Sequence, residues 1–297
     1  VSLCSIIEFF SRKDLRKLFL ALKIIFEFWI IADFIFALKY PLGVRVGLYN
    51  VWLFGAKNGQ LMFILPTVFC TYIYNFILNK FKKVRLAEFL LILFMSSYIL
   101  VTVKSATSII AIFIFIFLMF FSNSKLYAKI SMKSISLIYL ALFIGVVFFQ
   151  IQNNFSSFFM NTFGKDVTFT GRTTIWKKSI EYISKQPFLG YGLEPSNIRI
   201  IKMNNIAALN CHNMLLEIAY DGGFLLVSVF TIFWLRLCNS VDNYSRKNNQ
   251  ILKSVLIVYI IELFTEVFSF EVLLWVFILV FSISDYENGG DILNVKK

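Results

Sequence analysis

Two residues of this 297-residue sequence, Arg172 and His212, have side chains suited to anion binding and proton exchange. Arg172 is predicted to lie at the N-terminal end of a short helix, where free backbone N–H groups and the helix dipole favour anions. Its guanidinium is a planar fork suited to phosphate oxygens. His212, the only histidine, can exchange a proton near neutral pH. The alternatives are that Arg172 anchors its segment to lipid headgroups and that His212 makes a structural hydrogen bond.

Several carboxylates are predicted to lie at a similar depth, towards the outer half of the membrane. Glu217 and Asp221 are four residues apart and share a helix face just after His212, and Glu262 and Glu266 share another face. Ionisable residues inside a membrane are costly and usually face the protein interior, a cavity or each other, so these positions predict a polar chamber. The alternative is a set of structural pairs with Lys or Arg.

The segment that follows Arg172 predicts a short amphipathic helix over residues 173–186, with Thr173 as the N-cap and Pro187 ending it. Its apolar stripe predicts that it lies on the membrane surface. The stripe consists of Ile175, Trp176, Ile180 and Ile183.

A glycine-rich segment, Pro187-Phe-Leu-Gly-Tyr-Gly192, comes next. Gly190 and Gly192 allow a tight turn close to a ligand or to another helix. A plain turn is the alternative.

The composition shows what kind of protein must position these residues. Apolar residues make up 59% and charged residues 15% of the chain, whereas an ordinary soluble domain is roughly 45–50% apolar and about 25% charged. A soluble enzyme is therefore excluded. The net charge of +12 could indicate nucleic acid, but the basic residues lie in short clusters between long apolar runs, so nucleic acid is excluded as a partner.

We predict an all-α, polytopic integral membrane protein with about eight transmembrane helices. Their predicted limits are 15–38, 60–79, 86–103, 105–121, 134–151, 214–237, 251–268 and 270–284. Residues 152–213 form one large extracytoplasmic loop that contains the amphipathic helix. No repeat, linker or soluble appendage is visible, so residues 1–297 are predicted to form a single membrane domain.

Basic clusters predict the orientation, since Lys and Arg in short loops are retained in the cytoplasm. The clusters at Arg12–Lys17, Lys80–Arg85 and Lys125–Lys133 alternate with outer connections that carry few basic residues, such as Lys57. Both termini are therefore placed in the cytoplasm and the large loop outside. No cleavable signal peptide is visible, and the first span can itself direct insertion.

Cysteine usage predicts neither a disulfide nor a metal site. Of the four cysteines only Cys211 is placed in outer solvent, which leaves it without a partner. The chain has no CxxC motif and no second histidine, so we expect no metal and no cofactor.

An ordered set of short motifs resembles the signature of the O-antigen ligase and O-antigen polymerase superfamily. The set reads Gly171-Arg172, Trp176, Pro187–Gly192, His212-Asn213 and Gly222-Gly223. The resemblance covers about residues 15–285 and includes Lys57-Asn58 and Ser105–Ser108.

The resemblance implies an inverting, metal-independent glycosyltransferase in the bacterial plasma (inner) membrane, with a glycan on undecaprenyl pyrophosphate as donor. Arg172 would contact the donor pyrophosphate, and His212 would belong to the catalytic centre and activate the acceptor hydroxyl. The supporting residues would be Gly171, Trp176, Gly190, Gly192, Asn213, Glu217, Asp221 and Glu266. The lipid bilayer, a chain-length regulator and a flippase of the same pathway are the implied partners.

Two features depart from the family pattern. Many members carry a further arginine near the start of the span that corresponds to the fourth one here, where this chain reads Lys104-Ser-Ala-Thr107. Lys104 is expected to supply that charge to the pyrophosphate, without the bidentate fork of arginine. Family members also usually have more spans and a longer chain, so we expect an N-terminally truncated form or an alternative start.

Three functions remain open at this point. A polymerase would join lipid-linked repeat units into capsular polysaccharide or O-antigen, and the richness in Ile, Phe, Lys and Asn leans slightly towards a capsule polymerase. A ligase would move the finished glycan to lipid A core or another acceptor. A polytopic transporter or flippase is disfavoured, because transporters tend to show internal repeats and spans broken at the midplane.

Overall fold

The structure, a computed structural model, describes residues 2–47, 49–78, 83–122, 124–151, 171–243 and 249–288. These residues are mostly helical. The helices are α1 (Ser2–Lys39), α2 (Leu61–Tyr72), α3 (Lys83–Val103), α4 (Ala106–Phe121), α5 (Lys125–Lys129), α6 (Met132–Phe143), α7 (Arg172–Lys185), α8 (Ser196–Met203), α9 (Met214–Asn243), α10 (Asn249–Thr265) and α11 (Phe270–Asn288). Single π turns, Ile73–Ile77 and Ile144–Phe148, extend α2 and α6.

Each predicted span overlaps a helix, although α10 ends at Thr265, three residues before the predicted end of the seventh span. Two described helices, Lys83–Val103 and Met214–Asn243, are long and apolar enough to cross a membrane. Shorter apolar helices are Leu61–Ile77, Ala106–Phe121, Met132–Phe148 and Val272–Ile283. The prediction of a mostly helical membrane protein is therefore confirmed, and the number of spans stays a prediction.

The start of the first predicted span coincides with a break in α1. Asp14 has non-helical backbone angles (φ −160°, ψ 82°), and its carboxylate accepts the backbone N–H of Lys17 at 3.0 Å. Asp14 thus caps the part of α1 that begins at residue 15, because its side chain satisfies an N–H group that has no partner in the first turn.

The all-α prediction missed a small antiparallel sheet between α1 and α2. Its strands are β1 (Val44–Val46), β2 (Tyr49–Trp52) and β3 (Gly55–Ala56), in the order β1-β2-β3. Gly43 begins the first hairpin at φ +72°, and Val51 of β2 lies too close to it for a side chain to fit. The segment was read only as a loop because its strands are shorter than the usual five to six residues.

The described residues divide into two compact units. The first comprises residues 1–129, 240–259 and 268–297. Within it Lys23, a charged residue in the first span, pairs with Glu27 and Glu88. Thr71 donates to Glu27 at 2.8 Å, and Asn75 donates to Glu88 at 2.8 Å. Mutual pairing is how an ionisable group is accommodated among membrane helices.

The second unit comprises residues 130–239 and 260–267, and it contains every predicted site residue except Lys104. Its core consists of Phe143, Val147, Ile175, Trp176, Met203, Ala208, Cys211, Leu216 and Tyr220. The prediction of a single membrane domain over residues 1–297 is not tested by this division and stays a prediction.

The predicted large loop is partly helical. Residues 152–170 lie outside the described residues. The predicted amphipathic helix is confirmed as α7, but it begins at Arg172, with Gly171 as its N-cap in the left-handed conformation (φ +85°) instead of Thr173. The prediction that its stripe lies on the membrane surface is wrong, because Ile175 and Trp176 are 2% and 1% exposed in the core of the second unit. The sequence analysis did not predict α8.

Candidate active site in the second unit

Arg172, the first residue of α7, is held by a carboxylate. Its Nη2 donates to Glu266, and both side chains are largely buried. Glu266 directly follows the end of α10. Its backbone N–H donates to the backbone carbonyl of Glu262 at 2.8 Å. Gly171 has no side chain to cap α7, so the first N–H groups of the helix add to the positive potential around Arg172. The predicted anion-binding position is therefore a fixed guanidinium at a helix N-terminus.

Trp176 links Arg172 to His212. It lies four residues after Arg172 on the same face of α7, about 6 Å along the helix axis. Its indole Nε1 donates to the backbone carbonyl of His212 at 3.4 Å, and its ring meets Phe264 edge-on at 6.2 Å. The structure thus brings the two predicted catalytic residues to one side of α7.

The His212 ring has a defined tautomer. Nε2 lies 3.0 Å from the backbone oxygen of Ala207. Since a carbonyl only accepts, Nε2 is the donor in this contact, and in the neutral form of the ring Nδ1 therefore carries the lone pair. Nδ1 is buried and has no hydrogen-bond partner among the described residues. This lone pair could accept a hydrogen bond from a hydroxyl group.

The backbone around His212 is held in a tight turn. His212 itself has φ +47°, an uncommon conformation for a residue other than glycine. Its N–H donates to Asn210 Oδ1 at 2.8 Å. Asn213, the next residue, caps α9 by accepting the N–H of Leu216 at 3.1 Å and donates to the carbonyl of Phe264 at 2.9 Å. Asn213 thus joins the start of α9 to α10, and its supporting role at the site stays a prediction.

Glu217 and Asp221 do share a face of α9, and an arginine that the sequence analysis missed binds both. Arg199 of α8, only 3% exposed, donates Nη1 to Glu217 and Nη2 to Asp221. Burial opposes the positive charge, but the two carboxylates outweigh it and raise the pKa of Arg199. For these carboxylates the alternative reading, a structural pairing with Arg, is the one observed. The only sequence signal for this arginine was that it lies in a short segment after Pro195 whose apolar residues have helical spacing.

The glycine-rich segment docks on a break in α9. Gly223 interrupts α9 at φ 57°, ψ −159°. Tyr191 and Gly192 donate their N–H groups to the carbonyls of Tyr220 and Asp221, each at 2.8 Å. In return the carbonyls of Pro187 and Phe188 accept the N–H groups of Phe224, at 2.7 Å, and Leu225, at 3.2 Å. We call these four bonds the clasp. They satisfy backbone groups that the break leaves without helical partners.

Gly190 and Gly192 have different roles in this turn. A Cβ on Gly190 would lie 2.4 Å from the backbone oxygen of Tyr220, whereas a Cβ on Gly192 would meet nothing within 4 Å. The prediction that the turn lies close to a ligand or to another helix is confirmed for the helix.

The predictions for Lys104 and Cys211 have different outcomes in the structure. Lys104 belongs to the first unit, where it is exposed and has φ +56° between α3 and α4, so its contact with the donor stays a prediction. Cys211, placed in outer solvent by the sequence analysis, is instead fully buried in the core of the second unit. Burial raises the pKa of its thiol, which keeps it neutral.

An apolar groove of about 440 Å³ begins directly after the His212 turn. Helices α6, α9 and the end of α10 line it, with Leu137, Leu140, Met214, Leu215, Phe230 and Leu263 among its walls. Lys133 and Trp234 also line it, and the Nε1 of Trp234 donates to Ser136 at 2.8 Å. The groove is suited to a long apolar chain.

The second unit therefore combines a fixed cation, an imidazole lone pair and an apolar groove. Among the described residues no group of three His, Cys, Asp or Glu side chains could hold a metal ion. Such a set can bind an anionic group, accept a proton and hold an apolar chain.

Comparison with known proteins supports the resemblance seen in the motifs. The searches of curated proteins and of solved structures found no match. A family model described as O-antigen ligase matches residues 89–231, which include Arg172, the clasp and His212. The match over residues 89–231 confirms the resemblance predicted from the motifs and supports the O-antigen ligase and polymerase superfamily.

Proposed function

We propose that this chain is an inverting, metal-independent glycosyltransferase that polymerises undecaprenyl-pyrophosphate-linked repeat units into capsular polysaccharide or O-antigen at the outer face of the bacterial plasma membrane. The observation that carries the proposal is the link from Arg172 through Trp176 to His212, which joins an anion-binding group to a proton acceptor within one unit.

The reaction assigns one task to each group. The acceptor hydroxyl attacks the anomeric carbon of the donor, the new C–O bond forms, and the bond to the pyrophosphate oxygen breaks. His212 Nδ1 takes the hydroxyl proton, since it is the ring nitrogen with the lone pair. Arg172 stabilises the negative charge that grows on the leaving pyrophosphate, an interaction that is stronger in the transition state than in the ground state.

The apolar groove supports a lipid-linked donor. It starts at Met214 and Leu215, directly after His212-Asn213, so a polyprenyl tail lying in it would keep its pyrophosphate near the His212 turn. A chain-length regulator and a flippase of the same pathway would be partners, and both termini would lie in the cytoplasm.

A ligase that transfers the glycan to lipid A core or another acceptor is the second candidate. The description of the matching family model, O-antigen ligase, favours it. The polymerase and the ligase would use the same side chains and differ in the acceptor.

The test uses the purified chain in lipid vesicles with an undecaprenyl-pyrophosphate-linked repeat unit, with and without a lipid A core acceptor. A ladder of lipid-linked oligomers would support the polymerase, and a single transfer to the core would support the ligase. A well-folded protein that makes neither product would contradict both and would favour a transporter.

Variants of α7 and of the His212 turn connect the product to the site. Arg172→Ala should abolish the product, and Arg172→Lys should restore little of it because lysine lacks the planar fork. His212→Ala should lose turnover with donor binding kept. The matched control is Lys178→Ala, which removes an exposed cation from the same helix, paired with Glu181, and should leave activity unchanged.

A further inference from the structure

Glu217 joins the buried arginine of α8 to the turn that carries His212. Its Oε1 accepts from Arg199, and its Oε2 accepts the backbone N–H of Cys211 at 2.8 Å. Cys211 directly precedes His212 in the chain. One carboxylate thus ties α8, the start of α9 and the His212 turn together.

Asp221 provides a natural comparison. It lies one turn further along α9, its side chain is as exposed as that of Glu217, at 11%, and it accepts from the other terminal nitrogen of Arg199. Among the described contacts its carboxylate bonds Arg199 and does not reach the His212 turn. The two acidic residues therefore differ chiefly in the bond to Cys211.

The conformation of the His212 turn needs such a support. His212 has a left-handed backbone, which is unfavourable for a residue other than glycine and persists only where surrounding contacts impose it. The position of the backbone in turn decides whether Nε2 reaches the carbonyl of Ala207 and hence whether Nδ1 keeps the lone pair.

We infer that Glu217, held by Arg199, is a positioning residue for His212 in the glycosyl transfer proposed above, on which this role rests. Glu217 does not touch the reacting atoms. It fixes the backbone at Cys211, so that the imidazole presents Nδ1 as the proton acceptor. The contact with Arg199 holds the carboxylate in the orientation that this task needs.

The experiment compares Glu217→Gln with Asp221→Asn in lipid nanodiscs. Each change replaces one carboxylate partner of Arg199 by an amide, at the same side-chain burial. Glutamine has one acceptor oxygen where glutamate has two, so it cannot serve both Arg199 and Cys211. We expect Glu217→Gln to lower kcat about tenfold or more with the donor KM within about twofold of wild type, because small misplacements of a catalytic group have costs of this size. Asp221→Asn should lower kcat by a clearly smaller factor than Glu217→Gln does, because it leaves the bond from Cys211 to Glu217 in place.

A second readout does not depend on activity. Because His212 is the only histidine, ¹⁵N-histidine labelling gives the signals of one imidazole. Wild type and Asp221→Asn should each show one ring nitrogen protonated and the other bare, in a single population. Glu217→Gln should show a second population or a mixture of tautomers.

The two readouts separate the failure of this role from the failure of the enzyme function. Equal kcat values and equal imidazole spectra for Glu217→Gln and Asp221→Asn would overturn the positioning role. A wild type without transfer activity, but with the expected difference in spectra, would overturn the proposed function and leave the link between Glu217 and His212 in place.

Discussion

The clasp makes a quantitative prediction for Gly190→Ala. An added Cβ would lie 2.4 Å from the backbone oxygen of Tyr220 and 2.6 Å from the backbone carbon of Asp221. Neither backbone atom can move without distorting α9, so the loop must retreat. The clasp bonds of Tyr191 and Gly192 are then lost. Each of the two lost hydrogen bonds costs about 1 kcal/mol, and alanine at φ +62° adds about 1–2 kcal/mol. The expected loss of stability is therefore about 3–4 kcal/mol.

Gly192→Ala is the matched control for this prediction. Gly192 also has a positive φ, +72°, but open space around the position of a Cβ. Only the backbone cost of about 1–2 kcal/mol should appear. In thermal unfolding of the detergent-solubilised chain, about 2–4 °C per kcal/mol gives a fall of about 10 °C for Gly190→Ala and about 4 °C for Gly192→Ala. Equal shifts for the two variants would refute the contact argument.

Three further predictions concern side chains around the site. Glu266→Gln should lower kcat about tenfold, because a neutral hydrogen bond holds Arg172 less firmly than an ion pair does, and product formation at saturating donor measures this. Burial acts to raise the pKa of Glu194, but hydrogen bonds, above all from Lys202, outweigh it and lower the pKa below its ordinary 4.5. The stabilisation from Glu194 is therefore present above pH 4.5 and lost as the pH falls through the lowered pKa, so the difference in Tm between wild type and Glu194→Gln should vanish over that range. Asn213→Ala should destabilise the chain by about 2 kcal/mol in denaturant unfolding, through the lost cap and the lost bond to α10, and Asn213→Asp should recover the cap alone.

Local sequence signals predicted those parts of the site that depend on local structure. Pro187 correctly ended α7, and the spacing of the apolar stripe correctly placed Ile175 and Trp176 on one helix. The N-cap was wrong because Thr173 is the more common capping type. Gly171, two residues earlier, is instead the residue in the left-handed conformation from which the helix starts.

Contacts between distant segments could not be predicted. Arg199 reaches Glu217 and Asp221 across 18 and 22 residues of sequence, and nothing in its neighbourhood indicates that it is buried. The buried stripe of α7 has the same pattern as a helix that lies on a membrane, since periodicity shows that a face is apolar and does not show what covers it. The clasp likewise joins a turn and a glycine pair that each look ordinary alone.

The break at Gly223 also divides α9 into two halves with different tolerance for substitution. Before it, Met214, Leu216, Ile218 and Tyr220 are at most 3% exposed, so they must fit protein neighbours in both shape and size. After it, Phe224, Leu225, Val229 and Ile232 are at least 56% exposed, so in a bilayer their neighbours would be lipid chains. A liquid surrounding accepts almost any apolar side chain. A saturation library of α9 should therefore tolerate apolar exchanges freely at the exposed positions from 224 to 235 and reject most of them before residue 223 and at the buried Leu237, Cys238 and Val241.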